Sequence, residues 1–213
     1  MFINYTKEFV FLAIPKNAST SIQASLIERA NRQDILAYTK IPYKKAFSES
    51  YNVPEYEIIT HWNLNDALLN KVLSTEQIEK FNIFGVIRNP VERFISLTCM
   101  RFPDTDINDS VREYLIIRHD DNLFKRLGKP QLNWLKHDNK IINNIILYDN
   151  LNKKISNLPR HRSYNSNKIE SLSQCLKKEI INMYEEDYEL YKHLAEKNND
   201  YSDNNYSTIK YFD

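Results

Sequence analysis

The sequence predicts an α/β fold with a small parallel sheet flanked by helices, and three observations carry that prediction. Phe9-Val10-Phe11-Leu12-Ala13-Ile14 is a continuous apolar run, the pattern of a strand buried on both faces. Ile83-Phe84-Gly85-Val86-Ile87 and Asn144–Tyr148 repeat it at wide intervals. Helical patterns lie between the three, and strands alternating with helices pair in parallel through helical crossovers.

The elements follow in order. Pro15 ends the first strand, and Ser19, Thr20 and Ser21 can cap a helix to about Ala30 with Ile22, Leu26 and Ile27 on one face. Residues 31–55, polar and aromatic with Pro42 and Pro54, read as an excursion whose lysines form a solvated run. Tyr56–Thr60 is a short second strand, and Ser74 with Gln77 forms a capping box for a helix over 75–81. After the third strand, Asn89 is an N-cap, Pro90 takes the first helical position and Glu92 completes a capping box. Helices are predicted near 109–119 and 131–137, and a long amphipathic one over 170–197 with Leu172, Leu176, Ile180, Tyr184, Tyr188 and Tyr191 as its apolar stripe. Trp62 and Trp134 are expected in the core. The length of 213 residues fits one domain, over 1–197, with residues 198–213 as an Asn/Asp-rich tail expected to be mobile.

Composition excludes several classes of function. With 42% hydrophobic and 27% charged residues the chain is not wholly disordered, and a net charge of +1 leaves no broad basic surface for nucleic acid or membrane. Any anion site is therefore local. The two glycines, Gly85 and Gly128, stand apart, so neither a dinucleotide-binding fingerprint nor a Walker A loop is present. Cys99 and Cys175 form no disulfide framework, and the five histidines show no metal spacing, so no metal is expected. The absence of a leader pattern or an apolar span of about 20 residues sets the expectation of a cytoplasmic protein.

In parallel sheets, ligands bind beyond the carboxyl ends of the strands. Two such ends carry unusual residues. Pro15-Lys16-Asn17-Ala18-Ser19-Thr20-Ser21 is a strand–loop–helix junction where unpaired amides, the helix dipole, three hydroxyls and a lysine can hold an anion. An ordinary capped helix with a solvated lysine accounts for the same residues. Arg88-Asn89-Pro90-Val91-Glu92-Arg93-Phe94-Ile95-Ser96 sets a guanidinium at the end of an apolar strand, aimed into the crevice and suited to bidentate phosphate binding, with Ser96 two helical turns on. The plain alternative pairs Arg88 with a carboxylate such as Glu92 and leaves Arg93 on the surface. Two anion sites on neighbouring strand ends together imply a ligand with two separated anionic groups.

These residues resemble a known family. Ile14 to Ser21 is similar to the 5′-phosphosulfate loop of sulfotransferases that use 3′-phosphoadenosine 5′-phosphosulfate (PAPS), and Val86 to Ser96 to their 3′-phosphate motif, Arg-Asp-Pro-x-x-Arg-x-x-Ser. The nearest subgroup is the carbohydrate sulfotransferases that include uronyl 2-O-sulfotransferases, with a loop reading Pro-Lys-Thr-Ala-Ser-Thr-Ser. Lys129-Pro130-Gln131 before Trp134-Leu135, and Tyr184-Glu185-Glu186-Asp187-Tyr188-Glu189-Leu190, are weaker echoes. Here Asn17 replaces Thr, Asn89 replaces Asp, and Thr60 stands where the family commonly has Gly before its histidine.

The resemblance implies a compact P-loop-like α/β fold, with Lys16 on the phosphosulfate and Asn17, Ala18, Ser19, Thr20 and Ser21 around the 5′-phosphate. It places Arg88 and Ser96 on the 3′-phosphate, Arg162 in a late loop over the nucleotide, and His61 as the general base. The implied reaction is in-line sulfuryl transfer from PAPS to a hydroxyl of a carbohydrate or other small acceptor, without metal. Two other readings remain open: a P-loop-like phosphotransferase, and a non-catalytic nucleotide- or glycan-binding module of the same fold.

Overall fold

The computed structural model describes residues 1–27, 35–36, 61–155 and 167–200. Its centre is a five-stranded sheet of order β3-β1-β2-β4-β7, formed by β1 (Phe2–Asn4), β2 (Phe9–Leu12), β3 (Ile35–Leu36), β4 (Asn82–Ile87) and β7 (Asn144–Leu147). The small β5 (Lys136–His137) and β6 (Lys140–Ile141) form a separate hairpin. β2, β4 and β7 are parallel, in the registers Phe9↔Asn82 to Leu12↔Gly85 and Phe84↔Asn144 to Ile87↔Leu147. The predicted α/β class with a parallel core is therefore present. Its margin is antiparallel: β1 pairs with β2, and with the edge strand β3 inside the expected excursion. The predicted strand Tyr56–Thr60 lies outside the described residues.

The apolar runs form strands because each feeds two cores at a period of two. Phe9, Phe11 and Ala13 face one side with Phe84, Val86 and Ile146, against Ile22 and Leu26 of α1 (Ser19–Ile27). Val10 and Leu12 face the other side, against Leu64 and Ala67 of α2 (Leu64–Leu69) and Ile78 of α3 (Thr75–Lys80). Gly85 lies where a Cβ would come within 2.8 Å of the buried Leu135 Cδ2, so a side chain there would force that leucine to shift.

A helical lobe builds on α4 (Pro90–Arg101), whose Phe94, Ile95 and Leu97 pack with α5 (Ile107–Ile117) and α6 (Asn122–Leu127). The short α7 (Leu132–Leu135) closes over the strand ends, burying Trp134 and Leu135 with Ile14, Ile87 and Leu147. α8 (Leu151–Lys154) follows β7.

The long helix expected over 170–197 is instead three: α9 (Asn167–Ser171), α10 (Gln174–Met183) and α11 (Glu185–Asp200). Ser173 breaks the first junction by accepting the Leu176 N–H as an N-cap. At the second, Tyr184 leaves helical geometry while its hydroxyl donates to Gly128 O at 2.5 Å. α11 runs three residues beyond the predicted end, and residues 201–213 lie outside the description. The capping box at Ser74 and Gln77 is present. The one expected at Asn89 is not: Asn89 accepts the Val91 N–H, but the Glu92 carboxylate goes elsewhere.

Candidate active site

The turn after β2 has a shape that its residue types disfavour. Lys16 and Ala18 have φ of 67° and 58°, on either side of Asn17. The left-handed region costs a non-glycine residue roughly 1–2 kcal/mol, and such strain persists only where packing over-determines it. Asn17 supplies the packing. It is fully buried, and its Nδ2 donates to Val86 O and to Gln131 Oε1, each at 2.6 Å. Alternating signs of φ over three residues are the backbone pattern of an anion-binding nest, which phosphate loops usually build with glycine. Among the described residues no acceptor takes the N–H groups of Ala18, Ser19, Thr20 and Ser21, so they stand open at the start of α1. Ser19 and Ser21 are largely buried and Thr20 is exposed.

Arg88 meets this turn. Its Nη1 donates to Lys16 O at 3.3 Å, its Nε pairs with Glu92 Oε2 at 3.1 Å, and its guanidinium lies 4.2 Å from the centre of the Tyr148 ring. The lysine turn and the arginine thus converge. The guanidinium does not project freely into the crevice as expected; it is largely covered and paired with Glu92. Glu92, Ser96 and Met100 lie four residues apart, on one face of α4. Lys16 Nζ reaches the far end of that face, 3.8 Å from Met100 Sδ. Half-buried Ser96 lies between.

Arg93, expected on the surface in the plain reading, is fully buried. Its Nε donates to Pro15 O at 3.1 Å, and its Nη2 to Leu127 O and Lys129 O at 2.7 and 2.9 Å. Burial lowers its pKa. Three carbonyls replace the lost water, so the side chain ties the lysine turn to the segment leading into α7.

Gln131 is the hub. Its Oε1 accepts from Asn17 Nδ2 and from Arg88 N at 3.0 Å, and its Nε2 donates to Arg88 O at 2.9 Å. One amide side chain thereby holds both sides of the crevice. Asp187 holds Gln131 in turn, accepting the backbone N–H groups of Gln131 and Leu132 at 2.6 and 3.0 Å and capping α7. Burial raises the Asp187 pKa, while those amides and Arg93 oppose the rise. Gln131 and Asp187 stand in the two weaker sequence echoes, which was the available signal; their roles depend on contacts across 43 to 114 residues.

His61 is half-buried beside the end of β2. Its Nδ1 lies 2.5 Å from Ala13 O. A carbonyl only accepts, so Nδ1 carries the proton and Nε2 keeps its lone pair. Trp134 Nε1 donates to His61 O at 2.9 Å and fixes the backbone there. Burial, outweighing the Ala13 hydrogen bond, lowers the His61 pKa from 6.5 to about 4. The imidazole is therefore neutral at pH 7 and able to take up a proton at Nε2.

Arg162 lies outside the described residues. Among the described residues, no group of His, Cys, Asp and Glu side chains is arranged to hold a metal ion, and no helix is long and apolar enough to cross a membrane.

Residues 1–97 match the model of a sulfotransferase family. That span includes the lysine turn, His61, Arg88 and Ser96. No curated protein and no solved structure matches the chain.

Proposed function

We propose that the protein is a PAPS-dependent O-sulfotransferase acting on a hydroxyl of a carbohydrate or other small hydroxylated acceptor, with residues 1–197 as its catalytic domain. The observation that carries this reading is the meeting of the two anion-binding elements. Arg88 Nη1 lies 3.3 Å from the carbonyl of Lys16, at one end of a nest of open amides. A ligand with two separated anionic groups fits that arrangement, and the match over residues 1–97 supports the same chemistry.

The co-substrate supplies a sulfuryl group already activated by an anhydride bond to phosphate. The chain positions it and manages charge. The amides of Ala18 to Ser21 and the Lys16 ammonium hold the 5′ end and neutralise the negative charge that grows on the departing phosphate oxygen. They are built before reaction, so they need no reorganisation and no metal. Arg88 and Ser96 take the 3′-phosphate. His61 Nε2 accepts the acceptor's hydroxyl proton as the oxygen attacks, while the Nδ1–H···O=C bond to Ala13 keeps the ring aimed. Arg162 is proposed to close over the nucleotide. The similarity of the two motifs to those of uronyl 2-O-sulfotransferases supports an acidic glycan as acceptor.

Calorimetry with adenosine 3′,5′-bisphosphate, ADP and ATP, with and without Mg²⁺, tests the reading. The bisphosphate is expected to bind best, without metal, and to lose at least tenfold in affinity in Arg88→Ala. Preference for ATP with a Mg²⁺ requirement would favour a phosphotransferase. Tight bisphosphate binding without sulfate transfer to a broad acceptor panel would favour a binding module.

A further inference from the structure

We infer that Glu92 is a built-in competitor for the arginine subsite: its carboxylate holds Arg88 until a phosphate monoester dianion displaces it, and recaptures Arg88 when that ligand leaves. The inference rests on the reading above, in which Arg88 receives the 3′-phosphate.

A guanidinium offers an anion two bidentate edges and two faces. In Arg88, the Tyr148 ring lies against one face at 4.2 Å, Lys16 O takes one Nη1 hydrogen at 3.3 Å, and Glu92 Oε2 takes the Nε hydrogen at 3.1 Å. The Arg88 side chain is only 6% exposed, so a phosphate cannot approach without moving a neighbour. Of these three, Glu92 alone is an anion that phosphate replaces charge for charge. It is also free to leave: its side chain is 25% exposed, and it makes no capping bond to α4, since Asn89 serves the Val91 N–H.

Exchange is favoured over addition because a second carboxylate, Asp149, directly follows the tyrosine that stacks on Arg88. Asp149 accepts the Tyr191 hydroxyl at 2.7 Å. The Tyr191 pKa is raised by burial first, then by Asp149 and the negative charge of Glu92, so both carboxylates act on one small region. A dianion arriving with Glu92 still in place would add like charge around a single partly desolvated guanidinium. Displacement moves the carboxylate to water instead. A ligand with a bare 3′-hydroxyl has no charge to exchange and leaves the Arg88–Glu92 pair intact. Glu92 therefore weakens retention of a ligand with a phosphorylated ribose and hastens product release.

Isothermal calorimetry and stopped-flow dissociation on the full chain test this, with adenosine 3′,5′-bisphosphate and adenosine 5′-monophosphate as probes and Glu92→Gln and Glu92→Ala as variants. Both variants are expected to bind the bisphosphate about tenfold tighter, mainly through slower dissociation, with 5′-monophosphate affinity changed less than twofold. If the wild type prefers the bisphosphate but the variants bind it equally or more weakly, Glu92 only orients Arg88 and the inference falls alone. If the wild type shows no preference for the bisphosphate, the assignment of Arg88 falls first and takes this inference with it. A thermal midpoint for each variant separates a change at the site from loss of fold.

Discussion

Lys16 and Ala18 adopt positive φ in a turn that most chains build with glycine, and their tolerance for substitution follows from that geometry. Ala18→Val puts a β-branched side chain in the left-handed region, so unfolding in urea should show a loss of about 2 kcal/mol or more. Ala18→Gly should lie within about 1 kcal/mol of wild type, because relief of strain offsets the greater freedom of the unfolded chain. Lys16→Met should lower turnover by about 10²–10³ while the fold persists, as expected for loss of one preorganised donor to a developing oxyanion. His61 makes a pH-dependent prediction. Its folded pKa is depressed to about 4 from 6.5, so its contribution to stability is complete above pH 6.5 and is lost as the pH falls toward 4. The loss is on the order of 2–3 kcal/mol, and denaturation of wild type and His61→Gln across that window measures it. His61→Gln should keep bisphosphate affinity and abolish transfer; unchanged turnover would remove His61 from the mechanism.

At the scale of elements, α4 and α7 matter more than their lengths imply. α4 begins at the arginine strand end, sends Arg93 back beneath the lysine turn, and presents Glu92, Ser96 and Met100 along one face. Arg93→Met leaves three carbonyls without their donor and should destabilise by roughly 3–5 kcal/mol in urea unfolding. α7 is a single turn, too short to persist alone, and depends on Asp187 of α11 for its first amides. Asp187→Ala should cost at least the 0.5–2 kcal/mol of an ordinary cap, and should also weaken bisphosphate binding, because Gln131 carries the loss to Arg88 and Asn17. A variant that loses stability but binds the bisphosphate as wild type would uncouple α7 from the site. The splitting of the expected long helix belongs at this scale too. Its apolar stripe was correctly spaced, but periodicity is blind to a cap such as Ser173, and Tyr184 leaves the helix for a hydrogen bond to Gly128.

Over the whole molecule, the parts readable from the chain are those fixed by short-range physics. The three parallel strands stand within two residues of their predicted bounds, because uninterrupted apolar runs have few other stable placements. The antiparallel strands β1 and β3 are three and two residues long, too brief for any pattern, and depend on pairing with β2 and with each other. In the candidate site, strand ends, caps and motif spacing mark Lys16, Ser19, Arg88 and His61 in the sequence, and the structure brings Arg88 to the Lys16 turn. The bridging roles of Arg93, Gln131 and Asp187 are not legible in the sequence. A charged or amide side chain reads as surface until the carbonyls and amides that satisfy it are known, and those lie tens of residues away.

The chain by itself determined the fold class, the order of the parallel strands' segments and the two strand-end turns rich in anion-binding groups, since each follows from residue types within a few positions of one another. Only the tertiary structure decided that these turns meet, that Gln131 and Arg93 lock them together, and that Glu92 holds Arg88. The physical reason is desolvation: a buried guanidinium or amide must find partners, and the partner it finds is set by how separate elements pack.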